Sequence, residues 1–175
     1  MAAGYESLRE YVRDIVDYPD PGVTFRDITP LIGDGPAFRT AIDGLVASTG
    51  GESVDRVVGV ESRGFIFAAP VADRLGAAFV PVRKAGKLPW AVVREEYDLE
   101  YGSDKLEIHR DAIHPGERIL IVDDVLATGG TAAATAKLVE TLGGVIAGLS
   151  FVIELADLDG RSKLGGRPIT ALMSI

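Results

Sequence analysis

The middle of the chain alternates short apolar runs with stretches of helical period. Arg56-Val57-Val58-Gly59-Val60, Ala78-Phe79-Val80-Pro81-Val82 and Arg118-Ile119-Leu120-Ile121-Val122 read as buried strands. Between them, residues 64–75 read as a helix closed by Gly76, and an Ala-rich helix is expected from about Thr131 to Leu142, stopped by Gly143-Gly144. Residues 145–153 and 169–173 read as the last strands. Apolar strands separated by helices imply an α/β fold: a central parallel sheet flanked by helices and covered on both faces.

Towards the N-terminus, Leu8, Val12, Ile15 and Val16 stand at helical spacing, which predicts a helix over 5–17 that ends at Pro19 and Pro21. Residues 19–36, rich in Pro, Gly, Asp and Thr, read as an ordered loop. A helix is expected from about Pro36 to just before Gly50-Gly51. Residues 84–117 break the rhythm with many charges and with Gly86, Pro89, Gly102 and Pro115. They read as a projecting flap or two-stranded ribbon, and excursions of that length are often lids.

At 175 residues the chain fits one domain, 1–175. The formal charge of −8 argues against a general nucleic-acid surface, which needs clustered Lys and Arg. It leaves room for a small anion held by a few local donors. The absence of cysteine excludes disulfides, Cys-ligated zinc and thiol nucleophiles. The first residues lack the pattern of a secretory signal, and no run reaches the roughly 18 apolar residues of a membrane span. A cytoplasmic protein, without membrane or nucleic-acid partners, is the expectation.

The informative segment is Ile119-Leu120-Ile121-Val122-Asp123-Asp124-Val125-Leu126-Ala127-Thr128-Gly129-Gly130-Thr131. A buried strand ends in two carboxylates, a turn of small residues follows, and a helix begins. Ligands of open α/β sheets sit beyond the carboxyl ends of strands. Ala127, Thr128, Gly129, Gly130 and Thr131 offer backbone N–H groups at a helix N-terminus, where an anion is favoured, and two threonine hydroxyls add donors. The turn reads as a phosphate cradle. It is not a Walker A loop, since no Gly-Lys-Ser/Thr follows the glycines. Carboxylates beside a phosphate site suit hydroxyls, a cation or developing positive charge, and a sugar phosphate satisfies all three. The plain alternative, a solvated strand end before an ordinary helix cap, does not call for strand, carboxylates, turn and helix in this order.

Val122 to Thr131 resembles the 5-phosphoribosyl-1-pyrophosphate (PRPP) signature of the type I phosphoribosyltransferases, in the version of their adenine-specific members. Pro21-Gly22-Val23-Thr24-Phe25-Arg26-Asp27-Ile28, Glu61-Ser62-Arg63-Gly64-Phe65, Arg83-Lys84-Ala85-Gly86-Lys87-Leu88-Pro89 and Leu99-Glu100-Tyr101-Gly102 are similar to the same branch. The resemblance implies the type I fold, with a base-binding hood at about 1–35 and a flap at about 84–117. It implies transfer of the phosphoribosyl group of PRPP to adenine N9, giving AMP and pyrophosphate. Mg²⁺ would be held mainly through PRPP or pyrophosphate, with no protein metal site, and the protein would be a homodimer.

The same resemblance implies residue roles. Ala127 to Thr131 would hold the 5′-phosphate, while Asp123 and Asp124 would take the ribose hydroxyls and stabilise an oxocarbenium-like C1′. Arg63, in a turn that often contains a cis peptide in this family, would contact pyrophosphate, and Arg83, Lys84 and Lys87 would assist, some of them in a neighbouring subunit. Glu100 would assist proton movement at the purine, with Tyr101 beside it in a flap that excludes water. Phe25 would stack on the base, between Thr24 and Arg26. His109 and His114, the two histidines, show no site-like spacing. A 6-oxopurine or orotate enzyme is the nearest competing reading. A PRPP-sensing regulator lacks an added domain or basic face here, and a pyrophosphokinase would need two such domains.

Overall fold

The computed structural model describes residues 4–98 and 103–175. Its sheet begins with β3 (Arg56–Val60) and β4 (Ala78–Lys84), which pair in parallel. On the other side of β3 lie β7 (Arg118–Leu126), β8 (Val145–Glu154) and β9 (Ile169–Ser174), all parallel. Alternation along these strands explains the burial of both faces. Val57, Leu120 and Val122 pack on one side with Phe67, Ala68 and Val71 of α3 (Gly64–Leu75) and Ala41 and Leu45 of α2 (Gly35–Ala47). Val58, Ile119 and Ile121 pack on the other side with Ala136, Leu138 and Val139 of α4 (Gly130–Thr141). Successive residues of one strand thus serve two separate cores.

The sheet is mixed rather than wholly parallel. A ribbon of β5 (Val92–Asp98) and β6 (Ser103–His109) joins it through β6, which runs antiparallel to β4. The order across the seven strands is β5-β6-β4-β3-β7-β8-β9. The expected ribbon is present among residues 84–117, yet its base does not project. Leu106 and Ile108 are fully buried, because every second residue of β6 faces the core under α4.

The N-terminal region differs from its expected form. Residues 5–17 are not one helix: a 3₁₀ turn over Glu6–Tyr11 is followed by β1 (Arg13–Val16). Val12, Ile15 and Val16 are β-branched and fit extended backbone. Only Leu8 and Val12 are buried, while Val16 is 69% exposed, so helical spacing here did not mark one apolar face. The loop expected over 19–36 holds β2 (Thr24–Asp27), antiparallel to β1, and a short helix α1 (Thr29–Gly33). An Arg26–Asp14 ion pair of 2.7 Å ties the two strands together. Helix α2 starts as expected, with Pro36 in its first turn and the Asp34 carboxylate accepting from the Ala37 N–H at 2.9 Å.

Candidate active site

Strands β3 and β7 end side by side, and the β1–β2 hairpin stands over them. The space between is a cavity of about 490 Å³. It brings together Thr24, Phe25 and Arg26 from β2, Arg63 from the turn after β3, and Asp123, Asp124 and Ala127 through Thr131 from β7 and the turn beyond it.

The carboxylates lie inside strand β7, which continues to Leu126 instead of ending before them. The strand continues because β8 pairs with it there, Asp123 opposite Phe151, Val125 opposite Ile153 and Leu126 opposite Glu154. The Asp123 carboxylate accepts from the Asp124 N–H at 2.9 Å, and Asp124 Oδ2 meets Arg63 Nε at 2.8 Å. That ion pair lacks hydrogen-bond alignment, so Asp124 Oδ2 is a buried acceptor without a donor directed at it. Burial first, and then the charge of Asp124, push the Asp123 carboxyl well above the usual carboxylate range. Two acids share one low-dielectric wall, an arrangement that favours a hydroxyl-bearing or positively charged ligand. Gly64, the first residue of α3, lets that helix close on the pair, since a Cβ there would stand 2.5 Å from Asp123 Oδ1.

The turn after β7 is shaped from behind. Gly129 has φ +80°, and helix α4 starts at the next residue, leaving first-turn N–H groups without intrahelical partners. A Cβ on Gly129 would collide with the Gly160 carbonyl, and a Cβ on Gly160 would collide with the Ala127 carbonyl. Gly160 opens the 3₁₀ segment Gly160–Leu164, far downstream in sequence. A side chain at 129 would therefore strike the supporting backbone. Nothing in the spacing of the sequence marks Gly160 as part of the site.

Arg63 links two walls of the cavity. Besides meeting Asp124, its guanidinium carbon lies 5.2 Å from the centroid of the Phe25 ring. Tyr18 braces the same ring edge-on, with centroids 5.5 Å apart. Arg26 lines the cavity; its Nη1 pairs with Asp14, while its buried Nε has no hydrogen-bond partner among the described residues.

Arg83, Lys84 and Lys87 do not line the cavity; they gather around Glu61, which does. The Glu61 carboxylate accepts from Arg83 Nε at 3.2 Å, from the Lys84 N–H at 3.1 Å and from the Lys87 ammonium. Burial alone would raise the Glu61 carboxyl, but these donors outweigh it and hold it below its ordinary value. The Lys84 ammonium itself pairs with Asp104 at 3.0 Å. The Glu61–Ser62 peptide is cis. Glu61 as counter-ion to the basic segment was not legible in sequence, where it appears only as the first residue of its turn. Glu100 and Tyr101 lie outside the described residues. Among those described, no three or more Asp, Glu or His side chains gather as a metal cage.

A family model described as a phosphoribosyl transferase domain matches residues 32–163. An adenine phosphoribosyltransferase of Clostridium perfringens is 57% identical over 167 residues, covering 95% of this chain and 97% of that one. The chain belongs to the adenine phosphoribosyltransferase family. A solved family member from Thermoanaerobacter pseudethanolicus has a TM-score of 0.95 at 50% identity, covering 98% of this chain and 99% of its own. Another, from Saccharomyces cerevisiae, was solved with adenine and an imino-altritol bisphosphate; its TM-score is 0.92 at 41% identity, over 98% of this chain and 99% of that one.

Proposed function

We propose that this chain transfers the 5-phosphoribosyl group of PRPP to N9 of adenine, giving AMP and pyrophosphate in purine salvage. One observation carries the reading: a single cavity joins the Asp123–Asp124 pair and the glycine turn to the Phe25 ring. That is a place for a sugar between a phosphate and a flat base.

In the reaction the bond from C1′ to the pyrophosphate oxygen breaks, the bond from C1′ to N9 forms, and the N9 proton leaves the purine. The turn from Ala127 to Thr131 anchors the 5′-phosphate and fixes the ribose. Asp123 and Asp124 accept from its 2′- and 3′-hydroxyls, and their charge opposes that developing at C1′. Phe25 stacks on adenine between Thr24 and Arg26. Arg63 is the cation nearest the departing pyrophosphate, with Arg83 and Lys87 as further donors once Glu61 releases them and Lys84 once Asp104 does. Glu100, beside Tyr101, assists removal of the N9 proton. Within the flap of 84–117, the part beyond the sheet closes on the hood of 1–35 to keep water from PRPP, while Leu106 and Ile108 stay in the core.

Mg²⁺ fits this donor set as a substrate-borne ion. The acids at the cavity are the Asp123–Asp124 pair, already engaged, and Glu61, occupied by cations, so pyrophosphate oxygens and water would supply most of the coordination. When bound, Mg²⁺ neutralises leaving-group charge. The working form is a single-domain homodimer in the cytoplasm. Incubation with adenine, PRPP and Mg²⁺ is expected to yield AMP and pyrophosphate. Equal turnover of hypoxanthine would refute the choice of base, and no turnover of any purine would refute the reading.

A further inference from the structure

Glu107, on β6, is only 1% exposed and takes no part in the chemistry above. Its neighbours Leu106 and Ile108 face α4, so its own side chain lies on the opposite side of the sheet. There it stands in one rank with Arg83 of β4 and Arg94 of β5, each directly opposite it on the adjoining strand. Arg94 Nε donates to its Oε1, and the Gly86 N–H donates to its Oε2 at 2.9 Å. Arg83 turns the other way, onto Glu61.

We propose that Glu107 is a positioning residue for the cations that receive the departing pyrophosphate: by holding the Gly86 N–H it fixes the turn that carries Lys87. The inference rests on assigning residues 83–87 to the leaving group. Main-chain bonding from β4 to β6 ends where the Ala85 N–H donates to the Lys105 carbonyl at 3.0 Å. The next N–H, that of Gly86, goes to the buried carboxylate instead, and Gly86 then turns the chain with φ +82°. Beyond it, the Lys87 carbonyl accepts from Arg83 Nη1 at 3.3 Å, and the Lys87 ammonium meets Glu61. Those two contacts use the very side chains that turn to the leaving group, so they cannot also hold the turn while it is bound. The bond from Gly86 to Glu107 uses neither. A buried carboxylate is costly, and an apolar side chain like those of Leu106 and Ile108 would fill the place without that cost. What an apolar residue would lack is an acceptor for Gly86. A glutamine would offer one acceptor to two donors, so it must give up either Gly86 or Arg94.

The test is calorimetric titration of the whole protein with magnesium pyrophosphate, and separately with ribose 5-phosphate. Glu107→Gln is expected to weaken magnesium pyrophosphate roughly tenfold, the scale of a small displacement of binding groups, and to leave ribose 5-phosphate as in wild type. Arg94→Met alone should change neither, since the carboxylate still holds Gly86. With both substitutions together the amide oxygen is free to turn to Gly86, and pyrophosphate affinity should recover. If Glu107→Gln does not fold, Glu107→Asp keeps the charge, draws the oxygens back from Gly86 and is expected to show the same selective loss. Unchanged pyrophosphate affinity, an equal loss for ribose 5-phosphate, or no recovery in the double variant would each overturn the inference alone. A Lys87→Ala variant that binds magnesium pyrophosphate as wild type does would overturn the assignment of the basic segment, and the inference with it.

Discussion

Arg63 lies over Phe25, its guanidinium carbon 5.2 Å from the ring centroid. The face of the ring that it covers is a flat apolar surface inside the cavity. A base that stacks there must share Phe25 with the arginine or displace it toward the acids and the leaving group. Loss of the ring therefore removes a platform for the base and a resting place for the cation.

Phe25→Ala is expected to lower kcat/KM for adenine by roughly ten- to a hundredfold, the scale of base stacking on an aromatic ring. Preference for adenine over hypoxanthine should survive, because an apolar ring carries no hydrogen-bonding group with which to read the purine edge. Steady-state rates with both bases, for wild type and variant, provide the check. Collapse of the preference together with the rate would place specificity in Phe25 itself.

Gly64→Ala tests the closeness of α3 to the acidic pair. The new methyl would stand 2.5 Å from Asp123 Oδ1, so the carboxylate or the helix must shift. A misplacement of that size is expected to cost about tenfold or more in kcat/KM for PRPP. A variant with wild-type kinetics would show that Asp123 needs no fixed position.

These two sites also show how much was legible in sequence. Strands β3 and β7 and helices α3 and α4 were visible because each carries its own apolar period and its own punctuation, such as Gly76 with φ +64°. Most of the predicted contact residues meet in one cavity because their motifs sit at the ends of those elements. The continuation of β7 through Asp123 and Asp124 was not visible, since it depends on pairing with β8, as of Asp123 with Phe151, which lies far along the chain. The β1–β2 hairpin was hidden for the same reason: Arg26 and Asp14 meet only after folding. Nor does sequence show that Arg83 and Lys87 close on Glu61, a contact made across two strand ends.

Gly129→Val is expected to lower both stability and PRPP affinity. Left-handed backbone at a non-glycine residue costs about 1–3 kcal/mol, more for a β-branched one, and the overlap with the Gly160 carbonyl adds to it. A lower melting temperature together with weaker PRPP binding is the expected pair of results. Weaker binding at an unchanged melting temperature would show that the side chain points at the ligand after all.

Acid stability should report on Arg56 and Glu117, which hydrogen-bond at 2.6 and 2.9 Å on the side of the sheet away from the cavity. The Arg56 guanidinium holds the Glu117 carboxyl down from 4.5 to about 2. A carboxyl depressed on folding stabilises above its unfolded value and loses that contribution as pH falls through its folded value. Wild type should therefore exceed Glu117→Gln in stability at pH 7, and the gap should close between about pH 4.5 and about 2. Denaturant titrations across that range measure it, and a gap independent of pH would assign the effect to packing.

The contact between Gly129 and Gly160 has a consequence for how the protein can vary. Where two side chains touch, a larger one can be traded for a smaller one opposite, and the pair drifts together through sequence space. Here main chain rests on main chain, and the only atoms free to change are hydrogens. No exchange at one position makes room at the other, because the carbonyls of Gly160 and Ala127 stay where they are whatever the neighbouring residue. Both glycines are thus fixed independently of each other, and the turn they shape is closed to gradual redesign from within.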